Sequence, residues 1–277
     1  MYSGFEIKIN ESVFNKDYFT ELVVDGKERY TSVKKEIKEI IDSFTLDSGK
    51  IDGNKMQSNW FPQIKADIFL SHSHQDEKLA IALSEWMYQN FGLIVFIDSC
   101  IWGYSNKLLE IIDREYCRPD KINKPHSYSY EQRNYSTSHV HMMLSTALSM
   151  MIDNVECVMF LNTPNSVTPK DTIDKTESPW IYSEIAMTKL IRQKPIENYR
   201  LQRITESFSE GGKIEKSLRV EYNIETDHLK KIDVSDLKKW NSQWSYISKI
   251  ENNLSLVDSI FSKYQQQRRY LLSQMFI

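Results

Sequence analysis

Three stretches of the chain hold side chains whose types and spacing suit chemistry. Ser178-Pro179-Trp180-Ile181-Tyr182-Ser183-Glu184-Ile185 sets a carboxylate four residues after a tryptophan, close to a helix start. Asp67-Ile68-Phe69-Leu70-Ser71-His72-Ser73-His74-Gln75-Asp76 runs from an apolar segment into a turn of hydroxyls, imidazoles and a carboxylate. Gly92–Asp98 is a second apolar segment that ends on an aspartate. A carboxylate held where ligands bind is a candidate for chemistry. His72-x-His74-x-Asp76 offers a different option. Alternate residues of an extended chain share a face, so both imidazoles could reach one metal ion.

These groups need elements to position them. Ser178 suits an N-cap and Pro179 a first helical residue, which predicts a helix over Pro179–Lys194. Tyr182, Ile185, Ala186 and Leu190 recur at spacings of three and four and form the expected apolar stripe. At about 100° per residue, Glu184 falls nearly opposite that stripe and points to water or to a cleft. Most helix glutamates are simply solvated. The surroundings set this one apart. Asp67–Ser71 and Cys157–Leu161 read as buried strands, each followed by a polar loop. In an open parallel sheet, ligands bind beyond the carboxyl ends of the strands.

Asp76 and Glu77 open a helix, where carboxylates suit the dipole. Leu79, Leu83, Trp86 and Met87 form its inner stripe, Gly92 ends it, and Leu93–Ile97 is the next buried strand. This is a βαβ unit, so parallel strands with a right-handed crossover are expected. A loop, Ile101-Trp102-Gly103-Tyr104-Ser105-Asn106, leads to a helix over Lys107–Glu115. Residues 117–138 read as a long polar insertion. Ser138 is expected to cap a helix over His139–Asp153, with Val140, Met143, Leu144, Ala147, Leu148 and Met151 inside.

Residues 1–60 read as an accessory segment, with a turn at Asp25-Gly26, a helix over Lys34–Phe44 and a polar linker over Ser48–Asn59. The main domain then spans residues 61–277. After Lys194 the chain reads as irregular, with short strands at Val220–Ile224 and Lys231–Val234. Ser235 is expected to cap a helix that turns Leu237, Trp240, Trp244 and Ile247 to one side, beginning a C-terminal helical extension. Residues 254–277 read as a last helix.

Composition narrows the function classes. The 277 residues include 40% apolar and 26% charged side chains, ordinary for a globular protein. A net charge of −3 gives no electrostatic case for nucleic acid. Cys100, Cys117 and Cys157 form no CxxC pair, which suits buried thiols in a reduced, cytoplasmic protein. The first residues lack a basic-then-apolar leader. The most apolar run, Val140–Ile152, is too short to span a bilayer, so no membrane partner is expected. Only eight glycines disfavour folds with glycine-rich phosphate loops.

Read together, the Asp67–His72 strand, the Gly92–Asp98 strand and the Ser178-x-Trp180-x-x-x-Glu184 helix resemble, in order, the motifs of Toll/interleukin-1 receptor (TIR) domains. The resemblance is clearest over residues 66–115 and 155–194. It is closer to bacterial, defence-associated TIR proteins of the Thoeris type than to animal receptor adaptors. The departures are the first sixty residues, the insertion and the long region after Glu184. The resemblance implies a three-layer α/β fold with a central parallel sheet, TIR or flavodoxin-like, with helical N- and C-terminal additions.

The resemblance also implies cleavage of the nicotinamide–ribose bond of NAD, with NAD as substrate, no cofactor and no metal. Breaking that bond develops positive charge at the anomeric carbon, which a carboxylate at the ribose stabilises. By resemblance this is Glu184. Trp102 or Trp180 could supply an aromatic surface for nicotinamide. Ser71, His72 and Ser73 could bind ribose or phosphate through hydroxyl and backbone N–H groups. Asp98 either organises the second loop at the substrate or is a structural turn residue. Attack by water would give ADP-ribose, attack by the substrate's adenine a cyclic isomer, and attack by another molecule a conjugate. The implied setting is antiviral defence, with a separate effector protein reading the product and self-association through TIR surfaces.

Two alternatives stand beside this reading. Many TIR domains are non-catalytic assembly modules that use the loop equivalent to Cys100–Lys107. The His72/His74/Asp76 turn also resembles the metal motif of metallo-β-lactamases. Glu77 here replaces the next expected histidine, and His126, His139, His141 and His228 are not placed as downstream ligands.

Overall fold

The computed structural model describes residues 3–33, 41–46, 51–102, 105–118, 127–167, 175–176, 178–192, 222–223 and 226–251. Its centre is a five-stranded sheet of β1 (Ser3–Ile7), β2 (Ile68–Ser71), β3 (Val95–Phe96), β4 (Cys157–Leu161) and β7 (Lys230–Ile232), in the order β3-β2-β4-β1-β7. Every neighbouring pair is parallel. The inner strands β1, β2 and β4 are buried along their whole length, as strands covered on both faces must be. Two short strands, β5 (Lys175–Thr176) and β6 (Tyr222–Asn223), pair antiparallel outside this sheet.

The helices surround the sheet in two groups. On one side α1 (Lys16–Val33) packs along α3 (Glu77–Phe91), which also meets α8 (Val234–Glu251). On the other, α6 (Tyr130–Asn154) contacts α2 (Gly53–Trp60), α5 (Ser105–Tyr116) and α7 (Pro179–Leu190). The short helix α4 (Asp98–Ile101) follows β3 directly. The result is an α/β architecture with a central parallel sheet, as expected. None of the described helices is long and apolar enough to cross a membrane. All three cysteines are buried thiols.

Several local expectations hold. β4 covers Cys157–Leu161 and α7 starts at Pro179, where the Ser178 side chain accepts a hydrogen bond from the Ile181 N–H. Gly92 closes α3 at φ 67°, a left-handed conformation that suits glycine. Of the expected inner stripe of α3, Leu79, Leu83 and Met87 are buried and Trp86 is half-buried.

The N-terminal segment differs from expectation. β1 lies between β4 and β7, so residue 60 marks no boundary in the sheet. Glu6, in the middle of β1, is wholly buried. It accepts a hydrogen bond from Asn162 Nδ2 at 2.6 Å and pairs with Lys8 at 3.2 Å and Lys231 at 3.9 Å. Asp25-Gly26 is no turn but the middle of α1. A β-carbon on Gly26 would stand 2.6 Å from Ile81 Cγ2, so the missing side chain is what lets α1 approach α3. Gly53–Trp60, expected as linker, is a helix whose N-cap Asp52 accepts from the Lys55 N–H. In the expected helix over Lys34–Phe44, Ile41–Phe44 forms a single 3-10 turn and residues 34–40 lie outside the described residues.

The expected insertion is also shorter. α6 begins at Tyr130 with Ser129 as its cap, and Ser138 sits within the helix. Asp113 of α5 fixes the first two turns of α6 by accepting hydrogen bonds from Ser136 Oγ at 2.6 Å and Arg133 Nε at 2.8 Å. At the C-terminal side, Asp233 rather than Ser235 caps α8, through the N–H groups of Ser235 and Asp236. Leu237 and Trp240 are buried, and Trp240 stacks on Phe91 with ring centroids 4.2 Å apart. The side chains of Trp244 and Ile247 and the expected helix over 254–277 lie outside the described residues.

Numbered along the chain, the main sheet runs 3-2-4-1-5, whereas flavodoxin-like sheets run 2-1-3-4-5. With β1 set aside, β3-β2-β4 keeps the 2-1-3 order. The chain leaves β2 towards β3 on one side, then returns across β2 to β4. That reversal makes the carboxyl ends of β2 and β4 a topological switch point, where open α/β sheets form crevices.

Candidate active site

Ser71 is the last residue of β2 and pairs in register with Phe160 of β4, which pairs in turn with Glu6 of β1. In-register residues of parallel strands point to one face of the sheet. On that face Phe160 gathers Val167, Ile181, Ile185 and Leu229 into a small apolar cluster. Ile181 and Ile185 thereby seat α7 on the sheet, and Glu184 comes to rest beside Ser71. The serine hydroxyl donates to Glu184 Oε2 at 2.6 Å. Among the described residues no other hydrogen bond reaches this carboxyl group.

This orientation corrects the expected helix phase. Tyr182 and Leu190 of the expected inner stripe are 41% and 80% exposed, while Glu184 is 3% exposed. The inward face of α7 is Ile181, Glu184, Ile185 and Thr188. Thr188 shares a 2.8 Å hydrogen bond with His228 Nε2, so both polar residues on this face have partners. Burial raises the proton affinity of Glu184 well above the ordinary carboxylate range. The nearby charge of Asp98 adds to the rise and the Ser71 hydrogen bond opposes it.

The turn after β2 is pinned at two points. His72 is buried, with Nδ1 3.3 Å from the Leu70 carbonyl and Nε2 3.5 Å from Ser99 Oγ. A proton on Nδ1 lets the carbonyl accept from the ring and leaves Nε2 to accept from the hydroxyl. Burial lowers the proton affinity of His72; Asp98, 3.9 Å from Nδ1, works against that, and His74 works with it. Asp76, also buried, accepts hydrogen bonds from Thr163 Oγ1 and from Asn165 Nδ2, the latter at 2.7 Å. It thus ties the turn after β2 to the loop after β4. Ser73 caps the short 3-10 turn His74–Asp76 through the Gln75 N–H, and nothing in its hydrogen bonding points to a ligand.

A narrow cleft of about 60 Å³ opens beside these loops, lined by His74, Asp98, Ser99, Trp102, Leu144 and Trp180, among others. A water needs about 10–15 Å³ measured this way, so the cleft matches one small ring and not a dinucleotide. Asp98 is on its wall; Ser71 and Glu184 are not. Trp180 is half-buried and meets His141 of α6 edge to face, with ring centroids 5.7 Å apart. Trp102 differs from expectation. It is 3% exposed, its indole N–H donates to the Pro62 carbonyl at 2.8 Å, and its ring meets Phe61 and Phe96 edge to face. It is a core anchor whose edge reaches the cleft.

The structure therefore brings Glu184, Ser71, Asp98 and His72 together and sets Trp180 at the cleft. Sequence reasoning missed Ser99, His141 and the Asp76 clamp. Ser99 had a signal, because it follows Asp98 beyond the carboxyl end of β3. His141 and the clamp depend on tertiary packing. Of the metal alternative's residues, Asp76 has both oxygens engaged by Thr163 and Asn165, and among the described residues no three His, Cys, Asp or Glu side chains gather as metal ligands. No family model, curated protein or solved structure matches the chain.

Proposed function

We propose that the chain is a TIR-like enzyme that cleaves the nicotinamide–ribose bond of NAD and makes an ADP-ribose-derived signal nucleotide in antiviral defence. The observation that carries this reading is Glu184: a buried carboxyl group at the β2/β4 switch point, held by Ser71 and close to Asp98. A desolvated carboxylate is an effective partner for the positive charge that develops on the ribose as the bond breaks. Ser71 orients it, and the Asp98 charge makes the same site favour a cation.

In this mechanism the pyridinium ring of NAD enters the cleft against Trp180, since Trp102 is committed to the core. The C–N bond between nicotinamide and ribose breaks, and its electron pair leaves on the nicotinamide nitrogen. Glu184 stabilises the cationic ribose until a nucleophile attacks. The cleft has to widen for the rest of the dinucleotide to enter. A separate effector protein reads the product, and self-association through TIR surfaces accompanies activity.

The test is incubation of the purified protein with NAD, alone and with lysate of infected cells, with nicotinamide measured as it appears. Release is expected, and the mass of the second product separates hydrolysis, cyclisation and conjugation. No nicotinamide under either condition, from folded protein, would leave the non-catalytic assembly module as the better reading.

A further inference from the structure

We propose that Asp98 and Glu184 act as one coupled pair that takes up an N-substituted pyridinium ring and releases a proton in exchange. The inference rests on the proposed NAD reading only for the identity of the ring. Its geometry is independent of that reading. Asp98 stands on the wall of a ring-sized cleft whose other lining includes Trp180, Trp102, His74 and Leu144. Glu184, more than nine-tenths buried, has a single hydrogen-bond donor, Ser71, and its second carboxyl oxygen has none among the described residues. Neither carboxyl group has a lysine or arginine ion pair among the described residues; the His72 ring lies 3.9 Å from Asp98, and burial disfavours a charge on it.

Two carboxyl groups in a partly desolvated site without a countercharge cannot both ionise cheaply. Burial, and then the charge of Asp98, favour a proton on Glu184, the more buried of the two. A pyridinium cation in the cleft supplies the missing charge. The proton then leaves Glu184 for solvent, and the net charge of the site is unchanged by the exchange. Among the described residues the other titratable groups nearby are His72, His74 and Asp76 on the turn after β2, Glu77 at the start of α3, and His141 on α6 against Trp180. Burial lowers the proton affinity of both His72 and His141, so neither takes the proton in place of solvent. Aromatic walls favour an organic cation, and a metal ion would need more ligands than this pair offers.

The experiment is titration calorimetry of the full chain with N-methylnicotinamide cation, and with neutral nicotinamide, in two buffers of different ionisation enthalpy from pH 6 to 8. The cation should bind with release of up to one proton, and its affinity should rise by up to tenfold per pH unit below the Glu184 pKa. Nicotinamide should bind more weakly and release no proton. Glu184→Gln should abolish the release. Asp98→Asn should weaken cation binding and move its pH dependence to lower pH, a shift that a merely structural aspartate would not produce. Absence of cation binding, binding without proton release, or equal binding of nicotinamide would overturn the proposal. NAD cleavage by a protein showing any of these would sink this inference and spare the NAD reading. Proton-coupled cation binding without NAD cleavage would do the reverse.

Discussion

Replacing Glu184 by glutamine should make the protein more stable, and increasingly so as pH rises. Glutamine keeps the shape and its carbonyl still accepts the Ser71 hydroxyl, but it cannot ionise. Glu184 is 3% exposed, and burial and Asp98 raise its proton affinity well above the ordinary value near 4.5. Between that ordinary value and the raised one, the native state holds a proton that the unfolded chain has lost. Stability of the wild type therefore falls as pH rises through this window, by at most about 1.4 kcal/mol per pH unit for one group. Glutamine removes that slope. In a chain of this size about 1 kcal/mol moves Tm by roughly 2–4 °C, so the variant should gain up to about 3–6 °C on the wild type per pH unit. Paired thermal melts at pH 5, 6 and 7 and constant ionic strength read the difference directly. A Tm difference that does not change with pH, or a variant that loses ground as pH rises, would refute the reasoning. The second outcome would mean that Glu184 is ionised and paired.

Two further substitutions test the packing that holds the site. Trp102→Ala removes a buried ring and the donor to the Pro62 carbonyl, and should cost about 3–5 kcal/mol in chemical denaturation. Trp102→Phe keeps most of the packing and should cost about 1–3 kcal/mol for the orphaned carbonyl. Gly26→Ala would gain about 1 kcal/mol of helix propensity at an open site, yet here its methyl meets Ile81 Cγ2 at 2.6 Å and the Ile81 carbonyl at 3.2 Å. Overpacking costs of about 1–3 kcal/mol should win, so the denaturation midpoint should fall. Gly53→Ala, with only Met143 Cε at 3.6 Å, should be neutral or mildly stabilising.

The parts of the fold that the sequence made legible are those where local pattern and tertiary role agree. The buried runs of β2 and β4, the Ser178-Pro179 helix start and the Gly92 stop follow from apolar runs, capping and left-handed backbone. β1 was hidden because Glu6 interrupts its apolar run, and Asn162, Lys8 and Lys231, its partners among the described residues, make that burial tolerable. Asp25-Gly26 carries a turn signal, but the glycine serves a helix crossing with Ile81, a contact 55 residues away that no local rule reports. The phase of α7 is the instructive failure. Tyr182 and Leu190 recur with Ile185 and Ala186 at spacings of three and four, so pattern turned them inward. The helix instead buries Glu184 and Thr188, each hydrogen-bonded to a residue from elsewhere in the chain. A polar inward face supported by tertiary hydrogen bonds is where a functional site is expected to break the local rules. Trp102 was legible as a large aromatic beside a candidate loop, and only the Pro62 carbonyl and the Phe61 and Phe96 rings assign it to the core.

The central claim is that Glu184 performs the chemistry on NAD. The direct measurement is nicotinamide release by wild type and Glu184→Gln, side by side, both shown folded by their melts. The account predicts release by the wild type and a loss of at least about 10²- to 10³-fold in the variant, the scale of one preorganised electrostatic group in a dry site. Equal release by the two proteins would contradict it.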